Sequence, residues 1–265
     1  LALNNSNDAQ ATAPAAAESA TARRDQPFSE ACTVEINADS GAALPPTTTI
    51  NQKNTGQLYE DVQRTWNDIK FVTPDGKKQT FVLELDIHQG ATRLGTIEIL
   101  MRPEVAPNHV RNFVALAQLK FYDGLRLDRV IRQQGEGDAA GSKLVLLEGG
   151  SPAEGADPAS SHLGYWLRPE FSETEKHVEG TIGACLMQTE DNAETAACRF
   201  YLNLTAAPAM DGNFTIFGRI IGGLDVAQRV AETSVRDADG GPDQGRPVEP
   251  VVIRAATVRA MPVVE

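Results

Sequence analysis

The chain has 265 residues, 41% hydrophobic and 23% charged, which suffices for one sizeable core; no stretch approaches the roughly 18 consecutive apolar residues of a membrane-spanning helix. Acidic side chains number 36 against 24 Lys and Arg, and the formal net charge of −12 repels phosphate backbones, so nucleic-acid binding through a basic face is excluded as a leading reading. Cys32, Cys185 and Cys198 show no C-x-x-C spacing and do not cluster with His88, His109, His162 or His177, which speaks against a zinc site.

Residues 1–25, LALNNSNDAQATAPAAAESATARRD, are small and polar without an apolar period, the composition of a disordered tail. A start on Leu1, Ala-rich and acidic, suits a processed protein of an exported or organellar-lumen compartment. Residues 26–60 hold one alternating run, Cys32–Ile36, and a turn-rich stretch from Ser40 to Thr49, and nothing in them forms a core of its own. Residues 1–67 are therefore expected to be an extended arm lying on a partner of a larger complex, and 68–265 the folded domain.

Regular structure is expected from Asp68, with a short strand to Thr73 and a tight turn at Pro74-Asp75-Gly76-Lys77. Phe81–Ile87 and Thr96–Leu100 alternate apolar and polar side chains, the pattern of half-buried strands. Ala106-Pro107-Asn108 opens a helix, because the first-turn N–H that proline lacks has no helical partner. Val110, Phe113, Val114 and Ala117 then form one apolar stripe. A strand at Leu127–Ile131 follows Phe121-Tyr122-Asp123-Gly124. Gln133–Ser161 reads as long loops around one apolar segment, Lys143–Leu147. Strands resume at Gly180–Met187, Arg199–Leu204 and Thr215–Ile220. Asp225 is expected to cap a second helix with Val226, Ala227 and Val230 on one face, and Val251–Val258 is a last strand. Many strands with two separated helices suggest a closed barrel with helical plugs.

Five segments, in order, carry a family resemblance. Gly95–Gly124, GTIEILMRPEVAPNHVRNFVALAQLKFYDG, is similar to the cyclophilin run of strand, x-x-AP-x-x-V-x-NF helix and FYDG. Arg129-Val130-Ile131 resembles the family's Phe-His-Arg-Val-Ile strand, and Pro169-Glu170-Phe171 its acidic-Phe element. Arg199-Phe200-Tyr201-Leu202 lies where the family has Ser-Gln-Phe-Phe-Ile, and Met210–Gly218 is similar to Leu-Asp-Gly-x-x-x-x-Phe-Gly. The resemblance covers residues 68 to about 262 and leaves the first 60 unmatched. It implies a mainly β fold: a closed, eight-stranded antiparallel barrel capped by two helices, with a packed interior and a proline pocket on the outer face. It also sets the strand of Cys185 beside that of Cys198, so a disulfide is one alternative and buried free thiols the other.

The activity this implies is peptidyl-prolyl cis-trans isomerisation on a proline-containing peptide or protein, with no metal or cofactor. The X-Pro amide rotates over a barrier of about 18–20 kcal/mol. In the twisted state its nitrogen regains a lone pair, which a guanidinium can stabilise. Arg129 falls on the catalytic arginine of the family. Substrate-binding positions fall on Phe200, Tyr201, Met187, Met210, Arg199, Phe214 and Gln134, with Gln133 as the other register for the last. Several positions depart from the pattern. Asp128 replaces a histidine, Leu127 a phenylalanine, Arg199 a glutamine, Tyr201 the pocket phenylalanine and Phe214 a histidine. The family's Phe-Met-x-Gln segment is missing after Ile131. The alternative is thus a catalytically degenerate cyclophilin fold acting as a structural or binding subunit.

Overall fold

The computed structural model describes residues 27–28, 45–134, 143–153, 162–186, 196–237 and 244–263. The readings made for the 1–25 tail, for Cys32–Ile36 and for Met187 lie outside them. Among the described residues, ten strands run in the order β1 Gln79–Gln89, β2 Thr92–Met101, β3 Arg126–Gln134, β4 Lys143–Gly149, β5 Thr181–Ala184, β6 Phe200–Asn203, β7 Ile216–Gly222, β8 Val235–Asp237, β9 Gln244–Pro247 and β10 Val251–Pro262. The helices are α1 Thr55–Thr65, α2 Pro107–Gln118 and α3 Leu224–Ala231. Among the described residues no helix is long and apolar enough to cross a membrane.

Eight strands follow one another around the sheet as β10-β1-β2-β7-β5-β6-β4-β3, and β3 pairs back to β10 through Leu127↔Val251 and Arg126↔Val252. The barrel is thereby closed, and every pairing is antiparallel. Successive side chains of a strand point to opposite faces. Leu83, Leu85 and Ile87 of β1, Ile97 and Ile99 of β2, and Leu202 and Phe217 beyond them fill the interior, as an eight-stranded barrel requires. The hairpin β8–β9, which the sequence reading passed over, attaches to β3 through Val130↔Gly245 and Ile131↔Gln244.

Helices α2 and α3 are the two expected plugs. Phe113 of α2 stacks on Phe217 at 4.1 Å and meets Phe200 edge-on. Ala106, the N-cap of α2, offers no side chain to the free N–H groups. Glu170 supplies the acceptor from far along the chain, taking the N–H of Asn108 at 3.1 Å and of His109 at 2.9 Å. A carboxylate there also meets the positive end of the helix dipole, which is the role of the Pro169-Glu170-Phe171 element. At α3 the N-cap is Gly223, in the left-handed region at φ 74°, where Thr96's carbonyl leaves no room for a Cβ. Asp225 is not the cap; it sits in the first turn and pairs with Arg229 at 3.0 Å.

Two further expectations are corrected. Asp68–Thr73 forms only an isolated bridge, Val72↔Lys78, and regular structure begins earlier, at α1. Asn54 caps α1 by accepting the N–H of Gln57, and Leu58 and Val62 join the main core. The segment before it is also tied down: Asn51 Nδ2 donates to the carbonyls of Phe121 and Asp123 at 2.6 and 2.8 Å. A two-residue piece, Pro27-Phe28, bridges Leu167, and the Phe28 ring packs among Tyr59, Trp66 and Tyr165. The helix was overlooked because its eleven residues carry few apolar positions, and these find their core only in the barrel. Leu58→Ala is expected to lower the unfolding free energy by about 2–5 kcal/mol in a urea titration; a change below about 0.5 kcal/mol would show that α1 is not part of the cooperative unit.

Candidate active site

Four neighbouring strands place one row of residues across the outside of the barrel. Arg129 of β3 stands opposite Glu148 of β4, Glu148 opposite Tyr201 of β6, and Tyr201 opposite Gly183 of β5. A bulge between Leu127 and Arg129 lets Leu127 point inward while Asp128 and Arg129 both serve the outer side. Below the row, Ile131 pairs with Leu146. Ile131, Leu146, Cys185 and Tyr201 form an apolar cluster distinct from the interior core, with Leu144, Met210 and Phe214 packed against it. Phe214 meets the Tyr201 ring edge-on at 6.0 Å. The result is a small apolar cluster on the outer face with the Arg129 guanidinium beside it.

Of the predicted site residues, Arg129, Arg199, Tyr201, Met210 and Phe214 come together here. Phe200 does not. Strand alternation turns it into the interior, where it meets Phe113 and Tyr122. Gln134 is also displaced: it ends β3 opposite Lys143, exposed and away from Arg129. The segment sought directly after Ile131 lies on the next strand, because β3 runs on to Gln134 and the chain returns only at Lys143. Val145-Leu146-Leu147-Glu148 takes the place of Phe-Met-x-Gln, with Leu146 and Glu148 on the outer face. The apolar stretch ending in Glu-Gly-Gly, within a region read as loops, was the available signal.

Glu148 stands between two guanidinium groups. Its Oε2 accepts from Arg199 Nη2 at 2.9 Å and lies 3.6 Å from Arg129 Nη1. Arg129 Nη2 also donates to Gln244 Oε1 at 3.2 Å, which fixes the β8–β9 hairpin against the site. Arg199 is only 5% exposed, with Asp128 Oδ1 3.8 Å from its Nη2. Burial alone would pull the Arg199 guanidinium down, but Cys185, Asp128 and Glu148 around it outweigh that and hold it above its ordinary value. Burial pushes the Asp128 carboxyl up to about 6, opposed by Arg199 and assisted by Glu148.

Residues 85–258 match the family model for the cyclophilin-type peptidyl-prolyl cis-trans isomerases. The chain belongs to that family. The peptidyl-prolyl cis-trans isomerase ppi1 of Schizosaccharomyces pombe is 30% identical over 162 residues, 61% of this chain and 92% of that protein. A peptidyl-prolyl cis-trans isomerase-like 2 of Cryptococcus neoformans is 24% identical over 226 residues, 84% of this chain. The chain spans only 36% of that relative's length. Among solved structures, a cyclophilin-type isomerase of Cryptosporidium parvum superposes with a TM-score of 0.52 at 15% identity, covering 68% of this chain and 98% of its own, a likeness of fold.

Within this cyclophilin barrel the sequence reading missed two polar residues that hold Tyr201 in place. The Tyr201 hydroxyl lies 2.7 Å from His177 Nε2, and His177 Nδ1 lies 2.9 Å from Asp211 Oδ1. With the carboxylate at Nδ1, that nitrogen carries the proton and Nε2 accepts from the tyrosine. The backbone N–H and ring of His177 hold the Asp211 carboxyl below its usual range. Gly183 completes the arrangement, since a Cβ there would overlap the Tyr201 hydroxyl. Cys185 and Cys198 are free and buried. The disulfide alternative fails because Cys185 belongs to the outer cluster and Cys198 to the interior core, on opposite faces of the sheet. Burial pushes the Cys198 thiol up to about 12.

Two predictions concern the charges. Glu148→Gln and Arg199→Gln each strand a buried charge and should cost about 3–5 kcal/mol singly. The double variant exchanges the ion pair for two neutral amides and should recover most of the loss; additive losses in chemical denaturation would contradict this coupling. Asp128, with a folded pKa of about 6 against an ordinary value near 3.8, binds its proton more tightly in the folded state. Its contribution is therefore full below about pH 4 and is lost as pH rises through 6, up to about 3 kcal/mol. The stability difference between wild type and Asp128→Asn, followed from pH 4 to 7, should show this slope; a flat difference would refute it.

Proposed function

We propose that this chain is a prolyl isomerase acting on X-Pro bonds in peptides or protein segments. The observation that carries the reading is Arg129, 28% exposed in its side chain, beside the outer-face apolar cluster of Tyr201, Met210, Phe214, Ile131 and Leu146, which we take as the seat of the proline ring. The cluster takes the proline ring by burying its apolar surface. Arg129 then donates toward the amide nitrogen, which accepts a hydrogen bond only once the amide is twisted. That interaction is stronger in the transition state than in the ground state and so accelerates rotation. Rotation breaks no covalent bond, and these side chains suffice for it. The names of the relatives support the reading, as does a Cryptosporidium parvum cyclophilin-type isomerase solved in the presence of the dipeptide Ala-Pro.

Residues 45–67 and the pair Pro27-Phe28 pack on the domain, which restricts the expected partner-binding arm of residues 1–67 to positions outside these. Exchange NMR on a short Ala-Pro peptide tests the activity. Wild type should accelerate cis–trans exchange, and Arg129→Ala should lose about 100-fold or more of that acceleration. No acceleration by wild type would reject the isomerase reading in favour of a binding subunit.

A further inference from the structure

A second cavity, of about 200 Å³, adjoins the site on the far side of Asp128. Its lining includes Arg126, Arg236 and Arg246, with Asp128 as the acidic member. Three arginines thus line one cavity on a chain whose net charge is −12. Two of them, Arg236 and Arg246, stand directly opposite each other in the β8–β9 ladder. Like charges in that relation repel, and an anion held between them would relieve the repulsion. Arg126 and Arg246 have other partners as well, but a guanidinium carries five N–H donors and can serve more than one acceptor. Asp128 offsets only part of this positive charge: it interacts electrostatically with Arg246, and its Oδ1, buried without a hydrogen-bond partner, lies 3.8 Å from Arg199 Nη2. The cavity is also tied to the site: Asp128 precedes Arg129 in the chain, and Gln244, at the start of β9, holds Arg129.

We propose that this cavity is an anion subsite that receives a carboxylate or phosphate carried by the substrate close to its X-Pro bond, so that the preferred substrates are acidic or phosphorylated proline segments. This deepens the isomerase reading and rests on it. The whole protein works against the preference, because its net charge repels acidic peptides at long range; a preference for them must therefore be local.

The experiment titrates the full chain with peptides that differ in one residue beside Ala-Pro: glutamine, glutamate, phosphoserine or lysine. Binding is read from amide shifts and isomerisation from exchange spectra. Glutamate and phosphoserine peptides should bind about 10-fold tighter than the glutamine peptide. Arg236→Ala with Arg246→Ala should abolish that preference while changing glutamine-peptide affinity less than about twofold. Both arginines are exposed on the hairpin, and the unchanged glutamine peptide reports that the fold is intact. Inorganic phosphate forms a separate arm. Equal or weaker binding of the acidic peptides overturns the proposal, and so does phosphate binding without peptide preference, which would mark a site for a free anion. Failure of any peptide to bind overturns it too. If acidic peptides bind preferentially but none is isomerised, the subsite stands and the catalytic reading of Arg129 falls.

Discussion

Closure of the sheet by β3 against β10 is the constraint on which the rest of the structure depends. Once eight strands meet, the interior is just wide enough for its own side chains, and no room is left for a substrate inside. Each strand is then two-faced. Leu127, Val130, Leu147, Phe200 and Leu202 belong to the interior, whereas Arg129, Ile131, Leu146, Glu148 and Tyr201 belong to the outer surface on the same strands. The outer apolar cluster is the by-product of that alternation. It is built from the outward half of four adjacent strands and closed by the turn carrying Met210 and the loop carrying Phe214.

This dependence explains which parts were legible in the sequence. Strands with strict alternation, such as Phe81–Ile87, and the stripe of α2 could be read directly, because burial on one face imposes a period on the residues. The ordered motifs fixed the barrel and the position of Arg129. What failed were features decided by pairing across long separations. Glu148 belongs opposite Arg129 because of the β3–β4 register, and nothing local to Leu144–Glu148 states that register. Phe200 and Tyr201 are adjacent aromatics, and only the face assignment separates core from pocket. His177 and Asp211 are 34 residues apart and meet through the fold. The caps of α2 and α3 likewise came from Glu170 and from the backbone of Gly223, not from a local Ser, Thr or Asp.

The charged substitutions form one compensated set. Arg199 replaces a neutral glutamine at a position with almost no solvent, where an isolated guanidinium would be costly. Glu148 stands where the family pattern has a glutamine, and Asp128 where it has a histidine. The three changes are intelligible together and unfavourable apart: Glu148 and Asp128 answer Arg199. Buried ion pairs of this kind add little net stability over neutral partners, but they resist the loss of any one member. A position-by-position comparison counts three defects in the pocket, whereas the geometry shows a single exchange of neutral groups for charges.

That exchange bears on whether Arg129 is still available to a substrate. Glu148 lies near both arginines, and the two pairs are unequal. Arg199 donates to it at 2.9 Å from a buried position, where low polarity strengthens the bond. Arg129 is 3.6 Å away and partly exposed, and a pair of that kind contributes on the order of 1 kcal/mol or less. Glu148 is therefore anchored by Arg199, and Arg129 would give up little in turning toward a twisted amide, as the proposed isomerase reading requires. A carboxylate held in this way also keeps the Arg129 guanidinium oriented between β4 and the hairpin that carries Gln244. The altered site thus leaves Arg129 as a group that can be recruited, because the stronger demand on Glu148 comes from Arg199.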